Sequence, residues 1–473
     1  MIVMHSTRMF WITAITLPII SIFCFWYAVL TPWFCSGLCC INENNCAKVS
    51  VKGSLFEQKY EPVVKVLQHS LTTGWDLGAS LFVTVDGNPV LDVAGGFKDM
   101  DKLSSYEYDT STLNAVFSSG KVIETIAIAI LADRGLLDLE APVSKYWPEF
   151  AQNEKGEITV KDILSHRSGS SFQFDETPAV EVLQDRDQRD LFIAKQKNSY
   201  PRGTVSYRAW GSAFISDAIC RRVDPQNRTL ERFIRDELFD KLGEEFYTPP
   251  SLTEKQWSTI SKVHDISLST LIFGLFPQVF LPGVYSNFLP NGHPLKLSAQ
   301  DAVFAQKIIM KQKHADGYSF FDQPNIPDTD KGAASYNDRS SFLSYDMMSG
   351  NSISNARAIG KALDAFMNGK IVRNETLSEF MVQFSPAYDR VLSMNVTHTA
   401  GGFAVTPNLQ LGIKSTTCSG WFGIGGSMLL HCLIGDHKAT ISYVMNTMSP
   451  ILAPLRGVQL LEELVAVLLA DTE

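Results

Sequence analysis

Residues 118–134 place Ala, Ile and Leu on almost every face of a helix, with Ser at its start and Gly135 just past its end. A helix apolar all round cannot lie on a surface, so other elements must wrap it. The chain is long enough to do so. Its 473 residues, 45% hydrophobic and 19% charged, allow two to four domains, or one enlarged domain with an inserted subdomain. A disordered tail, a fibre and a small disulfide-stapled scaffold are excluded. The 41 basic and 50 acidic side chains give a net charge of −9 without a Lys/Arg block, so nothing would hold a nucleic-acid backbone.

Around that helix the patterning divides. Ala79 to Val85 and Pro89 to Ala94 are β-type runs joined by Asp86-Gly87-Asn88, which predicts a hairpin. From Tyr146 to about Leu238 the chain reads as helical and loop-rich. Strand character returns at 402–405, 409–413, 428–434 and 440–445, before a helical pattern over 457–469. The expected fold is α+β: an antiparallel sheet built from both ends of the body, flanked by helices, with a mainly helical subdomain inserted. The apolar stretch Leu271 to Pro282 is too short and too interrupted by Pro to span a bilayer. It is expected in the core, with a pocket lining or a dip into the bilayer surface as alternatives.

No charged side chain lies between Arg8 and Glu43, and Phe10 to Leu30 is apolar over a bilayer-spanning length. Trp11 near one end and Trp26, Tyr27 and Trp33 near the other suit the two interfaces. The expected organisation is a short tail (1–9), an uncleaved transmembrane anchor (10–33), a Cys-containing linker (34–55) and one body (56–473). A cleaved signal peptide is the alternative. Asn-x-Thr acceptors at Asn227, Asn374 and Asn395 point to glycosylation and a luminal or extracellular body. Cys24, Cys35, Cys39, Cys40 and Cys46 crowd the anchor, whereas Cys220, Cys418 and Cys432 are scattered through the body. None has metal-ligand spacing, and Cys35, Cys39 and Cys40 suit lipidation, pairing or a plain juxtamembrane loop.

The chemistry begins at Ser118-Ser119-Gly120-Lys121. A three-residue step puts Ser118 and Lys121 on one helix face. At a helix start the Ser hydroxyl meets backbone N–H groups that stabilise developing negative charge, and a desolvated Lys amine nearby can take its proton. A capping Ser with a Lys snorkelling to the surface is the plain alternative.

Four further segments stand C-terminal to this pair in a consistent order. Gly135-Leu136-Leu137-Asp138-Leu139 comes first, then Ile163-Leu164-Ser165-His166-Arg167-Ser168-Gly169, then Pro201 to Ala209, and last Trp421-Phe422-Gly423. In that order the chain resembles the serine β-lactamase/penicillin-binding-protein superfamily, especially its class C-like esterases and eukaryotic β-lactamase-like proteins. The His166 segment is similar to the family's Leu-Leu-x-His-x-Ser-Gly turn. Pro201 to Ala209 resembles the Tyr-x-Asn segment, with Tyr207 matching the catalytic Tyr and Ala209 standing where many members keep Asn. Ser349 to Arg357 resembles the Ser/Asn-rich approach to a late helix and is read as architectural. Trp421-Phe422-Gly423 stands for the third motif, Lys-Thr-Gly or His-x-Gly in better-known members. The resemblance covers roughly residues 60–470.

The resemblance implies a cofactor-free serine hydrolase acting on a small-molecule or peptide acyl substrate. Ser118 would attack an ester or amide, Lys121 and Tyr207 would manage the proton, and the N–H groups of Ser118 and Ile424 would form the oxyanion hole. Gly423 would admit the substrate, and Trp421 would replace a substrate-binding cation with an aromatic wall suited to neutral acyl groups. His166 is expected to hold its turn, and His431 to be half-buried in a strand. The departures at Ala209 and Trp421 motivate the rival reading, a catalytically weak scaffold. The relatives also imply homo-oligomerisation and, for some, a mitochondrial location. No Gly-x-Ser-x-Gly elbow supports an α/β-hydrolase, and no metal constellation is visible in the sequence.

Overall fold

A computed structural model describes residues 49–72, 76–99, 107–170, 178–208, 211–265, 329–392, 394–405, 416–448 and 453–470. The anchor 10–33, the five cysteines around it, the apolar stretch 271–282, the expected strand 409–413 and Ala209 lie outside the described residues. No helix among the described residues is long and apolar enough to cross a membrane.

The chain enters the sheet with β1 (Lys52–Phe56), runs through α1 (Glu61–Thr72), and forms a hairpin of β2 (Gly78–Val85) and β3 (Asn88–Gly96). Asp86 at φ 51° and Gly87 at φ 76° make the expected tight turn, two left-handed residues whose twist matches the flanking strands. After α2 (Gly120–Asp133), α3 (Ser212–Val223) and α4 (Ala356–Met367), the chain returns as β4 (Ala404–Val405), β5 (Thr416–Phe422), β6 (Met428–Ile434) and β7 (His437–Met445), and closes with α5 (Ala453–Leu469).

These strands form one seven-stranded sheet in the order β1-β3-β2-β7-β6-β5-β4, and every neighbouring pair is antiparallel. The early and late halves join through β2 and β7, with Ala79 opposite Met445 and Val85 opposite Ala439. The sheet is thus made from both ends of the body. β1 runs from the segment 34–55 expected as linker into the body at Phe56, with Lys52 opposite Ala94 and Phe56 opposite Leu91 on β3.

Every residue of β2 is buried, which requires cover on both faces. Side chains alternate along a strand. Thr440 and Ser442 of β7 face α4, where Asp364 accepts from Thr440 Oγ1 at 3.3 Å and a methyl on Gly360 would lie 3.1 Å from Ser442 Cβ. Tyr443 faces the opposite layer, bonded to the carboxylate of Asp76, which is paired with Arg456 of α5.

Residues 120–131 of α2 are all buried, as the unbroken apolar pattern demands. Each enclosed Ile or Leu contributes about 1.5–3 kcal/mol of apolar burial. The helix ends where expected, with Gly135 at φ 71° beyond Asp133. His431 is more deeply buried than expected, 6% exposed, with Nδ1 2.9 Å from Thr440 Oγ1. Cys418 and Cys432, scattered in sequence, lie opposite each other on β5 and β6 and form a disulfide.

Candidate active site

Ser118 sits two residues before the first residue of the helix. It belongs to the 3₁₀ turn Phe117–Ser119, and α2 begins at Gly120. No side chain caps either helix, so the Ser118 hydroxyl is not consumed locally. Phe117 adopts φ 49°, a left-handed conformation that costs an ordinary residue about 1–3 kcal/mol and persists only where packing over-determines it. That packing is visible: Phe117 is fully buried, with its ring 4.7 Å from that of Tyr336 in an edge-on contact. The turn starts from Asn114–Ala115, a short strand paired with Ile353–Ser354, and the N–H of Val116 donates to Ser352 O at 2.9 Å. Ser118 is half-buried between buried neighbours and therefore accessible.

Ser118 Oγ lies 3.2 Å from Tyr207 Oη and accepts from Lys121 Nζ at 3.3 Å. Lys121 does not snorkel to the surface; it is 6% exposed, and its Nζ also donates to Ser349 O at 3.1 Å. Lys121 Nζ stands 5.2 Å from the centroid of the Tyr207 ring. The Ser118 hydroxyl thus has a buried lysine nitrogen and a phenol in reach, an arrangement in which a serine can be activated. The Ser349 segment, expected to be architectural, supplies the carbonyl that holds the amine.

Tyr207 is placed by the turn that precedes it in sequence by some forty residues. His166 at φ 59° turns the backbone so that its O accepts from Ser206 N at 3.0 Å and its Nδ1 accepts from Arg208 N at 3.3 Å. Gly203 N donates to Arg167 O at 2.8 Å, and Ser206 Oγ donates to Ser170 O at 2.8 Å. His166 therefore holds the strap carrying Tyr207, as its expected turn role requires.

Trp421 on β5 forms the wall. Its ring stacks on Tyr207 at 5.5 Å and 24°, and on His398 at 5.6 Å and 19°, with His166 5.5 Å away. Burial pushes His398 down to about 3, aided by the charge of Arg167. Burial also holds His166 well below its ordinary value, with His398, Lys121 and Arg208 adding to the effect. Both imidazoles are neutral at physiological pH, so with Trp421 they present an uncharged aromatic surface. His398 carries no signal in the sequence. It sits in no periodic pattern, and only the fold stacks it on Trp421.

Beyond Trp421 the chain turns through Gly423 to Ser427. A methyl on Gly423 would lie 2.7 Å from Phe117 Cβ and 3.3 Å from Ser118 N, so only glycine brings this backbone against the Ser118 turn. The N–H groups of Ser118 and Ile424 donate to no other described residue. Gly423 N, by contrast, is committed to Ser427 O at 2.8 Å. Behind Lys121, Glu124 is buried and accepts from Ser216 Oγ at 2.7 Å and Ser212 Oγ at 3.3 Å. Its carboxyl is pushed up by burial, against the opposing effects of Ser216, Lys121 and Ser212. Among the described residues no group of three or more His, Cys, Asp or Glu could hold a metal ion. Asn227, Asn374 and Asn395 are exposed.

A family model described as Beta-lactamase matches residues 63–463. "Esterase/beta-lactamase LipL" of Mycobacterium tuberculosis is 30% identical over 206 residues, 41% of this chain and 45% of that protein. The chain thus spans less than half the length of this curated relative. Among solved structures, a penicillin-binding protein homologue from Caulobacter crescentus has a TM-score of 0.66 at 22% identity, covering 88% of this chain and 100% of that chain. A family VIII carboxylesterase has a TM-score of 0.66 at 21% identity with the same coverage. These two likenesses are likenesses of fold.

Proposed function

The chain belongs to the Beta-lactamase family, and from that premise we propose that it is a serine hydrolase cleaving an ester or amide through a Ser118 acyl-enzyme. One observation carries the reading: Ser118 Oγ is within hydrogen-bond reach of both Lys121 Nζ and Tyr207 Oη. Lys121 and Tyr207 draw the proton from Ser118 as Oγ attacks the carbonyl carbon. The carbonyl oxygen becomes an anion between the N–H groups of Ser118 and Ile424, which donate to no acceptor among the described residues. Tyr207 returns the proton to the departing alkoxide or amine, and water then releases the acyl group by the reverse proton path. The uncharged wall of Trp421, His398 and His166 favours neutral or apolar acyl groups.

The same reading places the body on the luminal or extracellular side of a membrane, held by the 10–33 anchor. Its support is the Cys418–Cys432 disulfide, a bond that persists in oxidising compartments, and the exposure of all three Asn acceptors. Homo-oligomerisation is part of the proposal and is read from the mass of the purified chain in solution.

The test is intact-mass spectrometry of the full-length chain after treatment with a fluorophosphonate and with p-nitrophenyl acyl esters. A single adduct on Ser118, absent from Ser118→Ala, is expected. A folded chain that takes no adduct, or a Ser118→Ala chain that hydrolyses esters at the wild-type rate, would sink this reading and favour the scaffold alternative.

A further inference from the structure

Helix α5 reaches the functional site from behind the sheet through one side chain. Arg456 is buried, and its Nη1 is ion-paired with the fully buried Asp76. Its Nη2 donates to Gly425 O at 2.9 Å and to Thr447 O at 2.8 Å. Asp76 in turn accepts from Ser70 Oγ at 2.6 Å and from Tyr443 Oη. Burial and the Asp76 charge push the Tyr443 hydroxyl well above its ordinary value, so it stays a donor. One planar guanidinium thus joins a buried carboxylate to two carbonyls from separate segments, which its rigid fork of donors suits.

The carbonyl of Gly425 belongs to the turn that carries Ile424. That turn is gripped on both sides. A methyl on Gly425 would overlap the Phe117 ring, and one on Gly426, at φ 121°, would overlap Arg456 Nη2. Ser427 Oγ donates to Val116 O at 2.7 Å and lies 2.9 Å from Ser119 Oγ, tying the far end of the turn to the residues flanking the nucleophile. Ile424 immediately precedes these gripped residues, and the bond from Gly423 N to Ser427 O at 2.8 Å closes the turn around it.

We propose that Arg456 is a positioning residue: through Gly425 O it fixes the Ile424 N–H relative to the Ser118 N–H and so sets the oxyanion hole, with Asp76 as its charge partner. The proposal rests on the reading of Ser118 as nucleophile. It assigns the sheet's far layer a part in catalysis without contact with substrate.

Arg456→Met would strand the Asp76 carboxylate in the core, so the informative change is Arg456→Lys, which keeps a cation beside Asp76 but cannot also donate to both carbonyls. The readouts on the full-length chain are kcat and KM for a p-nitrophenyl ester, the inhibition constant of phenylboronic acid, which forms a tetrahedral anion on a reactive serine, and amide exchange across residues 423–427. Loss of one well-placed oxyanion donor lowers kcat by about 10²–10³-fold. A loosened donor is expected to lower it by about 10–100-fold and to weaken boronate binding by a similar factor. KM should stay within about threefold, and exchange should quicken in the turn while β6 and β7 keep their protection. A purely structural Arg456 would not split kcat from KM in this way. A folded Arg456→Lys chain with kcat and boronate binding within about twofold of wild type, or with unchanged exchange in the turn, overturns the proposal. If Arg456→Lys does not fold, the paired exchange Asp76→Asn with Arg456→Gln carries the same readouts. A wild-type chain inert toward fluorophosphonate refutes the nucleophile reading instead, and the exchange comparison then decides alone whether Arg456 holds the turn.

Discussion

Replacing Gly423 by Ala puts one methyl group where the structure has no room for it. The new Cβ would lie 2.7 Å from Phe117 Cβ and would overlap Ser427 Oγ. Carbon atoms settle at about 3.5–4.0 Å, so the two backbones must part by about 1 Å. Phe117 cannot yield easily, since it is fully buried and already held at φ 49°. The displacement therefore falls on the turn carrying Ile424 and opens the gap between the two proposed oxyanion donors. A misplacement of about 1 Å costs about 100-fold in rate, equivalent to about 2.7 kcal/mol of transition-state stabilisation. Overpacking should also cost about 1–3 kcal/mol of stability. Steady-state hydrolysis of p-nitrophenyl esters, paired with urea denaturation, separates the two effects. Gly156→Ala is the control, because its nearest neighbour would be an ordinary 3.8 Å away. A folded Gly423→Ala chain with kcat/KM within about threefold of wild type would refute the placement of the oxyanion hole between these segments.

Two further outcomes concern stability. His431, facing Thr440, Asp364 and Lys438, is lowered from 6.5 to about 4, first by burial. The unfolded chain then binds a proton that the folded one refuses, so stability should fall as pH drops from 6.5 toward 4, by at most about 1.4 kcal/mol per pH unit from this group. His431→Gln should flatten the urea-midpoint profile over that window, and an unchanged slope would contradict the burial argument. The Cys418–Cys432 bond closes a loop of sequence separation 14, worth about 3 kcal/mol by the chain-entropy estimate. Reductant should lower the wild-type denaturation midpoint and leave Cys418→Ala/Cys432→Ala unmoved; equal response of both would deny the bond.

Much of this fold is written in local pattern. Asp86-Gly87 demands a left-handed two-residue turn, and Gly135 stops a helix whose apolar faces leave it no place but the core. Ser118 and Lys121 come together because three positions make about one turn of either a 3₁₀ or an α-helix. These features depend on neighbours within a few positions, and the structure reproduces them nearly residue for residue. The β1 strand escaped because its pattern is exposed almost throughout and carries no alternation. His398 and the Ser349 carbonyl escaped because neither has a spacing to recognise.

The sequence by itself thus determined a hairpin, a wholly buried helix and a Ser–Lys pair one turn apart, since each is set by backbone periodicity and turn chemistry. Only the tertiary structure decided what meets them: Tyr207 across 89 residues, Trp421 from a late strand, Cys418 opposite Cys432, and Arg456 reaching Gly425 from another layer. Those meetings depend on strand register and on which layer a helix covers, and such choices are made by the packing of the whole core rather than by any local run of residues.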